Sequence, residues 1–343
     1  MTKALKAPLP YFGGKSRVAS IVWDRFGDVK GYVEGFTGSA AVLLARPHWP
    51  FQGPRRNETA NDISGHVTNF WRSIQRLPDV AAYWAEYPTS ELDLHARGDA
   101  MFYKCMTGHD GVFRTPREFV EKLRGDMDWC DPKIAGIWAW GASNWIGDNW
   151  GTKRQYKVGD EGSGRRCNNM GVARKLPDVA NNRGVAYVTQ PVNECDRHLA
   201  ALESWFGELS SRLRHVRLCC GDWKRVCSPA VMEAGLPCGM FLDPPYDTRK
   251  GLSKVYSDHS DDVSAEVREW AIENGQNPQY RICLCGYDTE HQMPADWEEV
   301  AWKAAGGYGN IGQAGSRGRS NASRERLWFS PGCRQASMGV WEA

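Results

Sequence analysis

The sequence predicts an α/β protein whose parallel sheet is interrupted by a large insertion, and three observations carry that expectation. Residues 31–44 run strand, tight turn, helix: Tyr32 and Val33 lead in, Phe36-Thr37-Gly38-Ser39 turn, and Ala40 to Ala45 are helix formers. Strand and helix alternate up to about residue 77 and again from about residue 196, but not between. Lastly, Cys238–Leu242 is a short apolar run halted by Asp243-Pro244-Pro245-Tyr246. Two prolines cannot continue a strand, because they lack an N–H and fix φ. Asp243 therefore belongs at the strand's C-terminal end, the edge where open α/β sheets bind ligands.

A chain of 343 residues is long enough for a large core and for two domains. Its divisions are expected at 1–77 for the first part of a catalytic domain, 78–195 for an insertion, and 196–343 for the second part. The 11 cysteines are scattered, with Cys219-Cys220 adjacent and Cys283/Cys285 alternating along a strand, which suits reduced core thiols better than a disulfide framework. No two CxxC pairs occur, so structural zinc is not expected, and no metal is called for. No stretch has the length of apolar sequence a membrane helix needs, and no signal-like segment opens the chain, so a cytoplasmic protein is expected. The formal charge of +2 does not by itself announce a nucleic-acid binder.

In chain order, Pro8-Leu9-Pro10-Tyr11-Phe12-Gly13-Gly14-Lys15 places a Gly-Gly turn before a lysine able to pair with a carboxylate or phosphate. It lacks the spacing of a phosphate-binding Walker loop. Glu34 ends the first strand, and the turn after it carries Gly35 and Gly38 but not the GxGxxG of a dinucleotide site. Glu58-Thr59-Ala60-Asn61-Asp62 ends a second strand, and Ile63 to Gln75 continue as an amphipathic helix. Asp62 suits either a ribose hydroxyl or a helix N-cap, and both readings stand at this point.

Helical stretches are expected near Leu92–Lys104 and Arg117–Arg124. Trp138, Trp140, Trp145 and Trp150 follow, as an aromatic mini-core or as base-stacking surfaces. From Asp148 to Arg183 a Gly/Asn-rich stretch carries Lys153, Arg154, Lys157, Arg165, Arg166, Arg174, Lys175 and Arg183 against Asp148, Asp160, Glu161 and Asp178. That excess suits phosphate contact, with Lys153, Arg154, Arg165 and Arg166 as candidate DNA-binding residues, and it also suits a solvated loop. Alternation then resumes with a helix at Glu194–Leu213, a strand at Val216–Cys220, and a third strand-end acid, Asp222. A helix at Val267–Asn274 and strands at Tyr280–Cys285, Glu299–Lys303 and Leu327–Phe329 complete the reading.

Four acids, Glu34, Asp62, Asp222 and Asp243, thus end strands that a parallel sheet would bring to one edge. The Asp243 carboxylate and the Pro244 carbonyl offer two neighbouring acceptors suited to a planar amino group. Tyr246 adds an aromatic face for a base drawn out of its stack.

In this order the motifs Tyr11-Phe12-Gly13-Gly14-Lys15, Tyr32-Val33-Glu34-Gly35-Phe36-Thr37-Gly38-Ser39, Ala60-Asn61-Asp62-Ile63, Cys220-Gly221-Asp222-Trp223 and Asp243-Pro244-Pro245-Tyr246 resemble the Dam-like DNA adenine-N6 methyltransferases, in particular phage-borne members with a long target-recognition insert. Softer likenesses at Cys285-Gly286-Tyr287 and Arg326-Leu327-Trp328-Phe329 extend the resemblance over nearly the whole chain. The resemblance implies a Rossmann-like S-adenosylmethionine-dependent methyltransferase fold with a largely helical target-recognition insertion. It implies S-adenosylmethionine as cofactor and double-stranded DNA as partner, in a bacterial or phage-infected cell. By position it assigns Tyr11, Lys15, Glu34, Phe36, Gly38, Asp62, Asp222 and Asp243 to the cofactor, and Asp243, Pro244 and Tyr246 to catalysis on a flipped adenine. Two departures stand out: Gly35 where the family usually has proline, and Ala40 where it has glycine. Methylation of cytosine N4 or RNA, and an inactive DNA-binding relative, are the alternative readings.

Overall fold

The computed structural model describes residues 5–9, 15–51, 56–88, 90–145, 150, 195–246, 263–302 and 324–334. Its chain divides into two compact units: one of Met1–Lys6, Gly13–Ile63 and His215–Ala343, the other of Ala7–Phe12 and Ser64–Arg214. The topology is mixed α/β with a helical insertion.

In the first unit the sheet strands are β1 (Gly31–Glu34), β2 (Asn57–Asp62), β3 (Arg217–Cys220), β4 (Cys238–Leu242), β5 (Tyr280–Tyr287), β6 (Glu298–Ala301) and β7 (Glu325–Phe329). They lie side by side in the order β3-β2-β1-β4-β5-β7-β6. All neighbouring pairs are parallel except those β7 makes, with β5 on one side and β6 on the other. The order reverses between β1 and β4, so chain connections leave that pair in opposite directions and open a crevice above its C-terminal ends.

Every residue of β1 and β4 is buried, as a sheet covered on both faces requires. On one face Tyr32 packs against Trp23 and Phe26, ring centroids 4.9 and 6.3 Å away. Both belong to the helix Ala19–Phe26, which buries Ala19, Val22, Trp23 and Phe26 at helical spacing. Val33, Met240, Leu242, Ile282, Leu284 and Trp328 form a second core with Val267 and Ala271 of the helix Val263–Asn274. Ala19–Phe26, Pro78–Ala85, Pro132–Asn144 and the short Pro229–Met232 were not read as helices from the sequence; Pro78–Ala85 is short, opens on Pro78 and has a weakly patterned face.

Among the described residues, the regular structure of the second unit is helical apart from a two-stranded ribbon, Met106–Thr107 with Phe113–Arg114. Its frame is four helices, Gly65–Arg76, Pro78–Ala85, Pro132–Asn144 and Cys195–Leu213, with the first two packed on each other and on both of the others. The unit runs wider than the 78–195 segment delimited in the sequence, because Gly65–Arg76 packs on the other three helices and Cys195–Leu213 packs on Gly65–Arg76 and Pro78–Ala85. Trp138, Trp140, Trp145 and Trp150 are all buried. Trp138 lies 5.7 Å from Phe70, and Trp140 lies 6.2 Å from Tyr87 and 6.5 Å from Trp150. The Trp140 and Trp150 indole N–H groups donate to the carbonyls of Tyr87 and Leu94. Rings enclosed and hydrogen-bonded in this way are core, not a surface for stacking bases.

Among the described residues no helix is long and apolar enough to cross a membrane.

Candidate active site

The four strand-end acids share one edge. Glu34 and Asp62 are the last residues of β1 and β2, Asp243 immediately follows β4, and Asp222 lies two residues beyond β3. With these four strands parallel and adjacent in the order β3-β2-β1-β4, the acids form a row. Three strand steps from Asp222 to Asp243 amount to about 14 Å.

The turn after β1 is fastened to β2. The Thr37 N–H and hydroxyl both donate to the Asn61 carbonyl, at 2.9 and 3.0 Å, and the Gly38 N–H donates to Asp62 Oδ2 at 2.9 Å. The buried Asn61 side chain donates from Nδ2 to the carbonyls of Gly35 (3.0 Å) and Gly221 (2.9 Å), joining the loops that follow β1 and β3. Gly38, at φ 46°, makes a left-handed turn that glycine adopts without cost. Phe36 faces Trp223 with centroids 6.3 Å apart, and Asp222 is exposed beside them, its Oδ1 accepting from Lys224 N–H at 2.8 Å. Glu34 is buried, and Tyr32 Oη donates to its Oε1 at 3.2 Å. Carboxylates, a glycine turn and an aromatic pair along one edge form a donor set that fits a molecule with hydroxyls, an amine and a flat ring.

Next to this row lies a dense polar cluster. Lys15 Nζ is 2.9 Å from Asp243 Oδ2 and donates to Tyr246 Oη at 3.1 Å. Tyr246 Oη lies 2.7 Å from Glu325 Oε2 and 3.3 Å from Asp243 Oδ1. The Tyr246 ring meets Tyr287 edge-on at 4.6 Å, and Lys15 Nζ sits 5.8 Å from the Trp302 ring centre. Lys15 and Glu325 are buried, whereas Asp243 keeps 19% of its side chain exposed, enough for a ligand atom to reach it.

Burial alone would lower the Lys15 ammonium, but the carboxylates of Asp243 and Glu325 outweigh it and hold the lysine above its ordinary range. Burial raises the Glu325 carboxyl, against the pull of Lys15 and the hydrogen bond from Tyr246. Burial, followed by the charges of Asp243 and Glu325, pushes the Tyr246 phenol well above its ordinary range, so it carries its proton at neutral pH. The arrangement offers an acid with one oxygen tied to a fixed cation, beside a protonated phenol and at the switch point of the sheet.

Of the residues singled out from the sequence, Lys15, Asp243 and Tyr246 meet in this cluster, with buried Pro244 between the last two. Gly38 and Asp62 meet each other, and Glu34, Phe36 and Asp222 lie along the same edge. Tyr11, Lys153, Arg154, Arg165 and Arg166 lie outside the described residues. Sequence reasoning missed Asn61, Tyr287 and Glu325. Tyr287 sits in a short stretch that carried only a softer likeness, Glu325 directly precedes another, and the two are paired across β5 and β7. Among the described residues no group of three or more His, Cys, Asp or Glu is placed to hold a metal ion. No family model matches the sequence, and no curated protein does.

Proposed function

We propose that this chain is a site-specific DNA methyltransferase of the Dam-like kind, transferring a methyl group from S-adenosylmethionine to N6 of an adenine flipped out of duplex DNA, in the cytoplasm of a bacterial or phage-infected cell. The observation that carries the reading is Asp243 at the end of β4. It stands at the switch point next to β1, in line with Asp62 and Asp222, and is anchored through Oδ2 by Lys15. The strand order, doubly wound around β1 and β4, supports a Rossmann-like methyltransferase fold as the frame.

The residues that would hold the cofactor are Lys15, Glu34, Phe36, Gly38, Asp62, Asp222 and Asp243, with Tyr11 added by resemblance. S-adenosylmethionine, when bound, supplies a methyl already activated on a sulfonium, so the protein's task is to position the acceptor. Asp243 and the Pro244 carbonyl accept the two hydrogens of the base's exocyclic amine, which orients its nitrogen. Tyr246 presents the ring on which the flipped base rests, as pockets for extruded bases do. Lys15, bound to Oδ2, fixes the direction in which the other oxygen of Asp243 points.

The test is transfer of labelled methyl groups to unmethylated duplex DNA, followed by digestion to nucleosides. N6-methyladenine is the expected product. Asp243→Ala is expected to abolish transfer while the circular dichroism persists, with the thermal melt lowered because the buried Lys15 loses its ion-pair partner. N4-methylcytosine, or label found only in RNA, would replace the substrate. DNA binding with no transfer by the wild-type chain would make it an inactive relative, and activity retained in Asp243→Ala would remove that acid from the mechanism.

A further inference from the structure

Two carboxylates compete for one proton in the polar cluster. The Tyr246 hydroxyl has a single hydrogen to donate, and both Glu325 Oε2, at 2.7 Å, and Asp243 Oδ1, at 3.3 Å, lie within its reach. The shorter distance is that of a charge-assisted bond, and the longer one lies beyond the ordinary range for O–H···O. Lys15 donates into the lone pairs of the same oxygen at 3.1 Å, which turns the hydrogen away from the ammonium and towards Glu325.

We infer that Glu325 is a positioning residue: by taking the Tyr246 proton it keeps Asp243 Oδ1 available for a substrate amine. Asp243 has two oxygens, and Lys15 occupies Oδ2. Were the phenol to donate to Oδ1 as well, the acid would enter the reaction with both oxygens engaged, and an incoming amine would have to break a hydrogen bond to a carboxylate before making its own. Glu325 is well placed for this part. It opens β7 opposite Tyr287, whose ring packs on Tyr246, so one pair of facing residues holds the tyrosine by its hydroxyl and by its face. It is also buried, which shelters its carboxylate from solvent and strengthens the bond it accepts. The inference rests on Asp243 as the acid that receives the amine.

A pair of substitutions separates this role from a merely structural one. Glu325→Ala is expected to lower kcat by about 10- to 100-fold, the worth of one hydrogen bond to a charged group, with the KM for cofactor unchanged. Tyr246→Phe added to Glu325→Ala is expected to restore most of that loss, because it removes the proton that has turned onto Asp243. Glu325→Gln, which keeps an acceptor oxygen, is expected to stay within a few-fold of wild type. A crystal structure of Glu325→Ala should show Tyr246 Oη drawn to about 2.7 Å from Asp243 Oδ1. The inference is overturned if the double variant is slower than Glu325→Ala alone, or if the phenol keeps its distance from Asp243 in that crystal. Should Glu325→Ala fail to fold, Glu325→Leu fills the volume without an acceptor and carries the same comparison. If the wild-type chain transfers no methyl group, the functional reading fails by itself, and the distance in the crystal still decides where the proton goes.

Discussion

Ala40 closes the turn after β1 with φ 53° and ψ 25°, a left-handed conformation, and its side chain is buried. A glycine would be at ease there, which gives a physical reason for the residue the resembled family carries at this position. For alanine the left-handed region costs about 1–2 kcal/mol. Replacing it by glycine would lose a buried methyl, roughly 0.8 kcal/mol, and add about 0.5–1 kcal/mol of backbone entropy to the unfolded chain. These terms nearly cancel, so Ala40→Gly is expected to shift the unfolding free energy by less than about 1 kcal/mol. Ala40→Val places a β-branched residue where such residues are outliers, and is expected to destabilise by roughly 2 kcal/mol or more. Urea titration of both variants checks the pair; similar losses from glycine and valine would mean that packing, not the sign of φ, governs the site. Gly35, the other departure, keeps an N–H that reaches the Phe241 carbonyl at 3.4 Å, a long contact that proline would forgo.

At the scale of elements, glycines decide how closely helices of the second unit approach. A Cβ built on Gly136, within the helix Pro132–Asn144, would lie 2.4 Å from the Ala81 carbonyl oxygen and 2.6 Å from Trp84 Cβ, atoms of the neighbouring helix region that cannot swing aside. Among the described residues a Cβ on Gly207, inside the helix Cys195–Leu213, meets nothing within 4 Å. Opposite outcomes are therefore expected from the same substitution. Gly136→Ala forces the helices apart and costs roughly 1–3 kcal/mol. Gly207→Ala gains about 0.5–1 kcal/mol from helix propensity alone. Hydrogen exchange of the amides in Pro78–Ala85 provides the local readout, and protection unchanged in Gly136→Ala would refute the close approach.

The elements also explain what was legible in the sequence. Asp243 announced itself because two prolines stop β4 there, Glu34 because Tyr32 and Val33 give way to a glycine turn just after it, and Asp62 because an amphipathic helix begins just after it. Strand ends of this kind carry a local signature. Glu325 carries none, since it begins its strand rather than ending it. Only the antiparallel course of β7, pairing Glu325 with Tyr287, brings a strand's first residue to the edge where the parallel strands finish. A rule that looks for acids at the C-terminal ends of strands passes over it. Asn61 escaped for a different reason: its amide donates across to Gly35 and Gly221, and no spacing along the chain records which loops will meet.

For the whole molecule, the nearly neutral charge of +2 conceals an uneven distribution. Residues 148–183 carry eight basic and four acidic side chains, and with duplex DNA as the proposed substrate that excess has a measurable consequence. Each phosphate neutralised by lysine or arginine releases condensed counterions, so the logarithm of the binding constant falls with the logarithm of salt by about 0.9 per contact. If Lys153, Arg154, Arg165 and Arg166 all meet phosphates, replacing the four by alanine is expected to flatten that slope by roughly 3 to 4. The weakening should be nearly uniform across DNA sequences, because phosphate contacts carry no base information. Neither the thermal melt nor cofactor binding should change, since the acids assigned to the cofactor are Glu34, Asp62, Asp222 and Asp243 at the strand ends of the other unit. Fluorescence anisotropy of a labelled duplex over a range of salt measures the slope directly. A slope equal to that of the unaltered chain would show that the segment's charges face solvent and that the grip on DNA lies elsewhere.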